Sequence, residues 1–314
     1  MHVFKKVKYD ASGFGITTLD YICIVDKIAS YNKQALVNDI KFFGGGCVST
    51  ALITIERLGG KTALISCLGR DQTGKDILAE LKEEGIDCSG IEIKENVIST
   101  FSFIQVSKKL GKRAIAFYPG SSLFLKLNQK AKEIIKESKI LILDGNQPIE
   151  DIKAAKFAHQ NNIKVMLDCN IFIKGTTELL FYTDYIITSE SFLYEYSGVK
   201  DINFSLKKIS KEYNPLLLVA TLGNKGSVAL INRKIVKVGI YDVKVKDTTG
   251  CGDVYHGAFI FGILKNWDIK NIMKFATAVS SMKCIHYGGR PGIPNLKDTL
   301  HFLKEHGENI EKFK

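Results

Sequence analysis

The chain has 314 residues, of which 45% are hydrophobic and 25% are charged. This composition is typical of a globular protein that can bury a substantial core, and it excludes a disordered or fibrous chain. The formal net charge is +11, but the lysines are spread along the chain without a run of five or more basic residues. The charge therefore indicates a lysine-rich surface and a site for anionic ligands rather than nucleic acid binding.

The seven cysteines form neither a C-x-x-C pair nor a Cys/His pattern with the spacing of a zinc site. Cys23 and Cys67 lie in apolar runs, so we interpret the cysteines as small buried side chains in a reducing compartment. Residues 1–10 are not followed by the apolar segment of a signal peptide, and no stretch approaches the length of a membrane span. We therefore expect a cytoplasmic protein with no membrane partner.

Apolar runs of strand length alternate with amphipathic helical patterns over most of the chain. The predicted strands lie at 61–69, 139–145, 163–170, 185–190 and 216–223, and the predicted helices lie at 75–85, 149–162 and 204–213. Strands that read as continuous apolar runs are typical of a parallel sheet with helices on both faces. The sequence predicts a doubly wound α/β fold, with one domain over residues 1–314.

Two segments, 21–43 and 97–118, interrupt this alternation. Both have the pattern of strands and hairpins without crossover helices, and residues 110–112 are a candidate hairpin turn. We predict that the two segments form a small β-sheet lid that projects from the main sheet.

Polar and turn-forming residues follow most of the predicted strands. They are Gly69, Asp144, Gly145, Asp168, Asn170, Ser189, Glu190, Thr221 and Gly223. Ligands of open α/β sheets bind beyond the carboxyl ends of the strands, so we expect the chemistry to collect along this edge. Strand ends also need turn residues for purely structural reasons, which accounts for part of the pattern.

The sharpest local signal is the segment 247–253, DTTGCGD, which is followed by apolar residues at helical spacing. Gly250, Cys251 and Gly252 thus begin a helix, where backbone N–H groups lack intrahelical partners and the helix dipole is positive. Small residues let a phosphate approach these groups, so the segment predicts an anion hole. Asp253 in the first turn is stabilised as an anion and is placed to accept a hydroxyl proton during phosphoryl transfer. The alternative interpretation is structural: Asp253 is only an acidic residue in the first turn of a helix, and the glycines only form a tight turn.

Other glycine-rich segments do not fit a phosphate loop or a dinucleotide fingerprint. Residues 69–75 have the G-x-x-x-x-G-K spacing, but Asp76 stands where Ser or Thr would hold Mg²⁺. Residues 59–62 contain GKT, but Ile55 occupies the position of the first glycine. The glycines within residues 13–15 lack the third member of a dinucleotide fingerprint. A P-loop enzyme and a Rossmann dehydrogenase are therefore disfavoured.

Five motifs, in order along nearly the whole chain, resemble those of the PfkB, or ribokinase-like, carbohydrate kinase family. They are the pair Gly45 and Gly46 that opens GGCVSTALITIERLG, GRDQTG at 69–74, TLGNKGS at 221–227, DTTGCGD at 247–253 and GGRPGIP at 288–294. The resemblance is nearest to the ketohexokinase- and fructokinase-like branches. It implies a ribokinase-like fold and an ATP-dependent carbohydrate kinase that uses ATP, Mg²⁺ and, in some members, K⁺.

The resemblance also implies roles for individual residues. Asp253 is the base that deprotonates the acceptor hydroxyl, and the backbone of 250–252 is the anion hole for the transferring phosphoryl group. The remaining implied residues are Thr221, Gly223, Gly226, Asn170 and Ser189 for the nucleotide, Asp20, Gly45, Gly46 and Thr50 for the sugar, and Asp247 for a monovalent cation. The lid strands cover the sugar and, in many members, form a homodimer interface.

Three positions depart from the family pattern. Thr50 stands where the first motif often carries Asn, which changes the hydrogen bonds available to sugar hydroxyls. Ser189 and Phe192 replace the Asn and Glu of the NxxE element, so we expect Glu190 to take over the Glu role near Mg²⁺. Cys251 replaces the usual Ala, and we expect no redox role for it.

Two further residues have competing interpretations. Arg113 lies where several relatives place a lid arginine near the substrate or phosphates, although a strand Arg is otherwise a solvated surface residue. His256 lies one turn after Asp253, and we interpret it as a packing residue rather than a second base.

The leading functional hypothesis is an ATP-dependent kinase of a neutral ketose such as fructose, or of a related polyol. The positive net charge and Arg113 favour an anionic acceptor instead, such as a sugar phosphate or a sulfosugar, and nucleoside kinases share the fold. A hypothesis of a different class is a non-catalytic sugar-binding regulator on a kinase scaffold. The intact Asp253 and its glycines argue against that regulator, because a binder needs no base.

Overall fold

The computed structural model describes residues 7–121, 124–170 and 172–313. Residues 1–6, which belong to the segment 1–10 that was compared with a signal peptide, lie outside the described residues. The strands are β1 (Tyr9–Phe14), β2 (Thr18–Val25), β3 (Val37–Gly45), β4 (Thr62–Gly69), β5 (Asp87–Lys94), β6 (Phe101–Ser107), β7 (Arg113–Tyr118), β8 (Ser138–Leu143), β9 (Lys164–Cys169), β10 (Tyr185–Ser189), β11 (Leu217–Thr221), β12 (Ser227–Ile231) and β13 (Lys234–Val238). The α-helices are α1 (Cys47–Arg57), α2 (Gln72–Glu83), α3 (Gln129–Lys136), α4 (Pro148–Gln160), α5 (Thr176–Leu180), α6 (Glu190–Ser197), α7 (Ile202–Tyr213), α8 (Cys251–Leu264), α9 (Ile269–Lys283) and α10 (Leu296–Glu305).

Nine strands form one large sheet in the order β13-β12-β11-β10-β9-β8-β1-β4-β5. All neighbours from β11 to β5 are parallel, whereas β12 and β13 are added as antiparallel strands at one edge. The carboxyl ends of the parallel strands therefore meet along one edge of the sheet, which is where ligands bind in folds of this type.

Helices cover the large sheet on both faces. In β8, Ile140 and Ile142 pack into the hydrophobic cluster that contains residues of α1, α8 and α9, while Leu141 and Leu143 pack into the cluster of α3, α4, α6 and α7. Because both faces are buried, the strand is a continuous apolar run. The predicted doubly wound α/β fold is confirmed, and the five predicted strands differ from the observed ones by at most two residues at either end.

The remaining four strands form a separate sheet in the order β3-β2-β6-β7, as predicted for the lid. β2 pairs antiparallel with β3 and parallel with β6, and β7 completes a hairpin with β6. Strand β3 ends at Gly45, so the lid continues directly into the first glycine motif and α1.

The segment that resembles a phosphate loop has a structural role at the start of α2. Asp71 caps this helix by accepting a hydrogen bond from the Gly74 N–H, and its other oxygen accepts one from the Ser99 N–H. The cap explains why α2 begins at Gln72, three residues before the predicted start. At the other end Gly85 has a φ of 85°, which is the left-handed conformation predicted for a helix stop.

Among the helices within the described residues, none combines the length and the apolarity that crossing a membrane requires.

Candidate active site

The segment 247–253 forms a tight turn that ends in the first turn of α8. Gly250 is the residue before the helix and has a φ of 72°, and a Cβ there would lie 2.7 Å from the Cα of Gly289. By contrast, nothing lies within 4 Å of a Cβ placed on Gly252. The turn is thus packed against the C-terminal glycine motif on one side, while the Cα of Gly252 in the first turn of α8 borders open space on the other.

Asp253 is half-buried beside two other reactive groups. Its carboxylate, the carboxylate of Asp168 and the thiol of Cys47 each place an atom within 4.8 Å of the others. Burial and the charge of Asp168 raise the pKa of Asp253 from its ordinary 3.8 to about 6, against the opposing effects of His256 and Arg113. Desolvation of the Asp253 carboxylate therefore outweighs the stabilisation of the anion that was expected from the helix start. A pKa near neutrality suits a general base.

Asp168 and His256 form a buried pair behind this carboxylate. The Nδ1 atom of His256, which is 1% exposed, lies 3.0 Å from Oδ2 of Asp168, and the side-chain amide of Asn170 donates to Oδ1 of the same carboxylate. Burial alone would lower the pKa of His256, but the Asp168 carboxylate raises it above its ordinary value. His256 was predicted to be a packing residue. It is buried as such a residue would be, and it also contacts the strand-end carboxylate of Asp168, a contact that the sequence did not indicate.

Cys47 and Asp144 lie near Asp168 and Asp253, and we call these four residues the acidic floor. Cys47 is the first residue of α1, and burial together with the charges of Asp253, Asp168 and Asp144 raises the pKa of its thiol well above the ordinary value. Asp144 accepts hydrogen bonds from the backbone N–H of Ile16 and of Asn146, yet burial still raises its pKa. No sequence pattern indicated Cys47, although its place after Gly46 at a helix start would have been a usable signal.

The predicted sugar-binding residues lie together at the base of the lid. Asp20 on β2 is 5% exposed and accepts a hydrogen bond from the Thr18 hydroxyl at 2.8 Å. A Cβ on Gly45 would clash with the Asp20 carboxylate, and one on Gly46, whose φ is 95°, would clash with the carbonyl of Ile16. The two glycines therefore let the start of α1 approach Asp20 closely.

Thr50 differs from these residues because its side chain is buried inside α1. It is 1% exposed, and its hydroxyl has no hydrogen-bond partner among the described residues. The structure does not bring this hydroxyl to an open surface, so the sugar contact predicted for Thr50 stays a prediction.

Arg290 in the GGRPGIP motif holds the sugar-side loop in place. Its guanidinium is fully buried, donates to the carbonyl of Gly45 at 2.7 Å and to the Ser49 hydroxyl at 2.9 Å, and pairs with Glu80 at 3.1 Å. A side chain on Gly44 would clash with this guanidinium. The motif was recognised in the sequence, but its arginine was assigned no role.

A cavity of about 390 Å³ lies beside the turn at residues 250–252. Thr221, Gly223 and Gly226 line one wall of it, and Cys251 and Gly252 line another. The predicted nucleotide residues after β11 and the predicted anion hole thus share a single cavity, which extends from the edge of the large sheet to the start of α8.

Arg113 reaches this cavity from the lid. Its Nη1 atom donates a hydrogen bond of 2.6 Å to the hydroxyl of Thr248, and Arg113 and Thr248 both line the cavity. The arginine therefore lies beside the turn that contains the predicted anion hole, whereas the sequence left open whether it contacts the substrate or is a surface residue.

The other predicted nucleotide and Mg²⁺ residues lie at neighbouring strand ends, outside the residues that line the cavity. Ser189 caps α6 by accepting from the Phe192 N–H, so a structural role accounts for its hydroxyl. Glu190 accepts a hydrogen bond from the Tyr194 hydroxyl at 2.9 Å and pairs with Lys225 at 3.3 Å.

Asp247 is fully buried, and both of its carboxylate oxygens accept hydrogen bonds. Oδ1 accepts from the N–H and the hydroxyl of Thr249, and Oδ2 accepts from the Gly288 N–H. The amine of Lys283 contacts the carbonyl oxygens of Asp247 and Thr249. Burial lowers the pKa of Lys283 to about 8. These residues do not fit the predicted K⁺ ion, because an ammonium group already takes the carbonyl oxygens that would bind it.

Cys251 and Cys284 are paired through their sulfur atoms, with their Cα atoms 6.5 Å apart. The sequence analysis interpreted the cysteines as small buried side chains and did not pair these two, because 33 positions separate them and no spacing rule links them. Cys67 and Cys169 are buried as interpreted, whereas Cys23 is half-buried.

Comparisons with known proteins identify the family of the chain. The chain matches the pfkB family of carbohydrate kinases over residues 10–296. It is 28% identical to a ribokinase of Lactococcus lactis, covering 94% of this chain and 97% of the relative. It is 27% identical to a 5-dehydro-2-deoxygluconokinase of Clostridium botulinum, covering 97% of this chain and 95% of the relative.

A solved structure shares the fold. The ribokinase of Arabidopsis thaliana, solved with ribose and ATP, superimposes with a TM-score of 0.81 at 21% identity and covers 95% of this chain and 99% of its own. This similarity concerns the fold, whereas the family match spans most of the sequence. The chain therefore belongs to the pfkB family of carbohydrate kinases.

Proposed function

We propose that this protein is a cytoplasmic kinase that transfers the γ-phosphoryl group of ATP to a hydroxyl of a neutral sugar, with a ketose such as fructose as the first candidate. The observation that carries the proposal is the position of Asp253. Its carboxylate shares the first turn of α8 with the glycines of the anion hole, and this turn separates the acidic floor from the cavity lined by Thr221 and Gly223.

The proposed reaction needs one base and one site for negative charge. Asp253 accepts the proton of the acceptor hydroxyl, whose oxygen forms a bond to the γ-phosphorus. The bond between that phosphorus and the β–γ bridging oxygen breaks, and ADP leaves. The first N–H groups of α8 and the Arg113 guanidinium stabilise the charge on the transferring group. Gly250, Cys251 and Gly252 contribute through their backbone.

Mg²⁺ fits the oxygen ligands at the strand ends. Asp168 on β9 and Glu190 after β10 lie on adjacent parallel strands, and Mg²⁺ prefers carboxylate oxygens, phosphates and water. Asp168, which pairs with His256, and Glu190, which pairs with Lys225, would each have to exchange that partner to hold the ion together with the nucleotide phosphates. When bound, Mg²⁺ neutralises the charge of those phosphates. The Cys47 thiol is a soft ligand and is not part of this set.

The charges around the acceptor side support a neutral substrate. Asp20, Asp144 and Asp253 surround the base of the lid, and each has a raised pKa because it is buried. A phosphate or sulfonate on the sugar would be repelled by these carboxylates. Arg113, which favoured an anionic substrate in the sequence, donates instead to Thr248 of the anion-hole loop.

The alternatives predict different products. A kinase of a sugar phosphate, a sulfosugar or a nucleoside would form ADP only with that acceptor. A non-catalytic regulator would bind the sugar without forming ADP. The raised pKa of Asp253 supports catalysis over simple binding. Burying a carboxylate lowers the stability of the fold, and a protein that only binds sugar gains nothing from such a group.

We also propose that the lid forms a homodimer through its outer face. Tyr21 lies opposite Phe42 on one side and Phe103 on the other, so their side chains share a face of the sheet. Ile40, Phe42 and Phe103 are 47%, 55% and 49% exposed. Exposed apolar patches of this kind mark association surfaces. In light scattering coupled to gel filtration, Phe103→Glu should be a monomer, whereas a monomeric wild type would contradict the proposal.

The proposed activity is tested by incubating the purified protein with ATP and Mg²⁺ and one member of a panel of ketoses, polyols, sugar phosphates and nucleosides. ADP formation is followed with a coupled assay, and Asp253→Asn is the inactive control. We expect the highest kcat/KM with a neutral sugar. ADP formed only with phosphorylated sugars or nucleosides would contradict the neutral acceptor, and sugar-induced thermal stabilisation without ADP would favour the regulator.

A further inference from the structure

Lys283 is a buried cation next to the anion hole. It is the last residue of α9 and is fully buried, and its Nζ atom contacts the carbonyl oxygen of Asp247 at 3.2 Å and that of Thr249. A buried ammonium group is costly unless oxygen atoms surround it, so this contact is a specific one.

The two carbonyl oxygens belong to the turn that positions the anion hole. Asp247 and Thr249 directly precede Gly250, and the Asp247 carboxylate ties the same turn to the N–H of Gly288. The backbone N–H groups of Lys246 and Asp247 donate hydrogen bonds to the carbonyl of Cys284. The end of α9 is therefore joined to the turn by its backbone as well as by the Lys283 side chain. The ammonium group therefore lies where it sets the shape of the turn.

We propose that the Lys283 ammonium is a built-in cation that holds the anion-hole turn, so that this kinase works without a monovalent metal ion. Lys283 is a positioning residue in this proposal, since it contacts the turn and not the transferring group. The proposal rests on the phosphoryl transfer proposed above. It replaces the expectation, taken from the family resemblance, of a K⁺ ion near Asp247.

The chemistry of the contact favours this role. An ammonium group and K⁺ are similar in size, and both are bound by carbonyl oxygens. A second cation next to Nζ would be repelled and would compete for the same oxygens. Because Lys283 is attached to α9, the charge is present at every turnover, whereas a free ion must bind first.

The decisive variant is Lys283→Ala, which removes the charge and leaves space for an ion. Activity and thermal unfolding are measured in tetramethylammonium buffer and then with added K⁺ or NH₄⁺. The wild-type rate should change by less than about twofold, because an ion without a free site has no preference for the active form. The alanine variant should lose about 100-fold in kcat, the effect of losing an oxyanion-hole donor.

Rescue separates this role from general support of the fold. K⁺ or NH₄⁺ should restore the kcat of Lys283→Ala by about tenfold or more and raise its Tm by about 2–4 °C, since the ions bind the folded site. Lys283→Met, whose side chain fills the space, should be inactive and insensitive to both ions. The control is Lys274→Ala on the same helix, which loses a partly exposed pair with Glu308 and should show no dependence on cations.

Two outcomes would overturn the inference. Strong activation of the wild type by K⁺, by about tenfold or more, would show that an ion and not the lysine completes the site. A Lys283→Ala variant that K⁺ and NH₄⁺ neither activate nor stabilise would leave Lys283 with a structural role only. If the alanine variant does not fold, the wild-type measurement and Lys283→Met still decide. The Tm readings do not depend on turnover, so absence of kinase activity would refute the proposed function alone.

Discussion

Substitution of Asp253 by Asn should abolish turnover and at the same time stabilise the protein. The carboxylate has a pKa of about 6 instead of its ordinary 3.8, because it is buried beside Asp168. Since one pH unit of pKa difference corresponds to about 1.4 kcal/mol, the ionised side chain costs the folded state about 3 kcal/mol at neutral pH. Asn has nearly the same shape and carries no charge, so Asp253→Asn should recover about 2–3 kcal/mol.

The direction of the pKa shift of Asp253 determines how the stability gained by Asp253→Asn depends on pH. At a pH well below 3.8 the Asp253 carboxyl is protonated in both the folded and the unfolded chain, so the cost is absent and the variant has no advantage. The cost grows as the pH rises towards 6 and is constant above that value, and at pH 5 it is about half of its full size. Wild type and variant should therefore differ most at pH 7 and above.

The assay is urea unfolding followed by circular dichroism at pH 7.5 and pH 5, combined with steady-state kinetics at pH 7.5. Turnover should fall by at least about 100-fold, the usual contribution of a general base. Asp26→Asn is the matched control, because Asp26 is exposed and should show neither effect. A variant that is less stable than the wild type at pH 7.5, or whose gain does not depend on pH, would refute the proposed electrostatics, and retained turnover would exclude Asp253 as the base.

Three further predictions concern the same site. The kcat/KM of the wild type should fall below a pH of about 6, because protonated Asp253 cannot accept the hydroxyl proton; a kcat/KM that is independent of pH between 5 and 8 would contradict this. Gly252→Ala should keep the wild-type Tm and lower kcat, since its methyl group enters the space for the phosphoryl group. Gly250→Ala should lower both Tm and kcat, because Gly250 has a φ of 72° and its methyl group would meet Gly289. Equal effects of the two variants in calorimetry and kinetics would refute this distinction. Arg113→Ala should lower kcat by about 10-fold to 100-fold and leave the KM of the sugar unchanged, and a change confined to that KM would move Arg113 to the sugar side.

Local sequence patterns were sufficient for the elements and for the glycine turn that precedes α8. The strands of the large sheet are recognisable because burial on both faces makes them apolar throughout, and the lid because its segments lack crossover helices. The anion hole depends on Gly250 and on the first turn of α8, which are properties of a few adjacent residues. Such features need no information about distant parts of the chain.

Contacts between distant segments were decided by the tertiary structure alone. The pairing of His256 with Asp168, the reach of Arg113 to Thr248 over 135 residues and the contact of Arg290 with the Gly45 carbonyl over 245 residues have no signature in spacing. The pKa of Asp253 likewise depends on how deeply it is buried and on which charges surround it. Sequence determines which groups are available, but desolvation and Coulomb interactions depend on distances in space, and only the folded chain sets those distances.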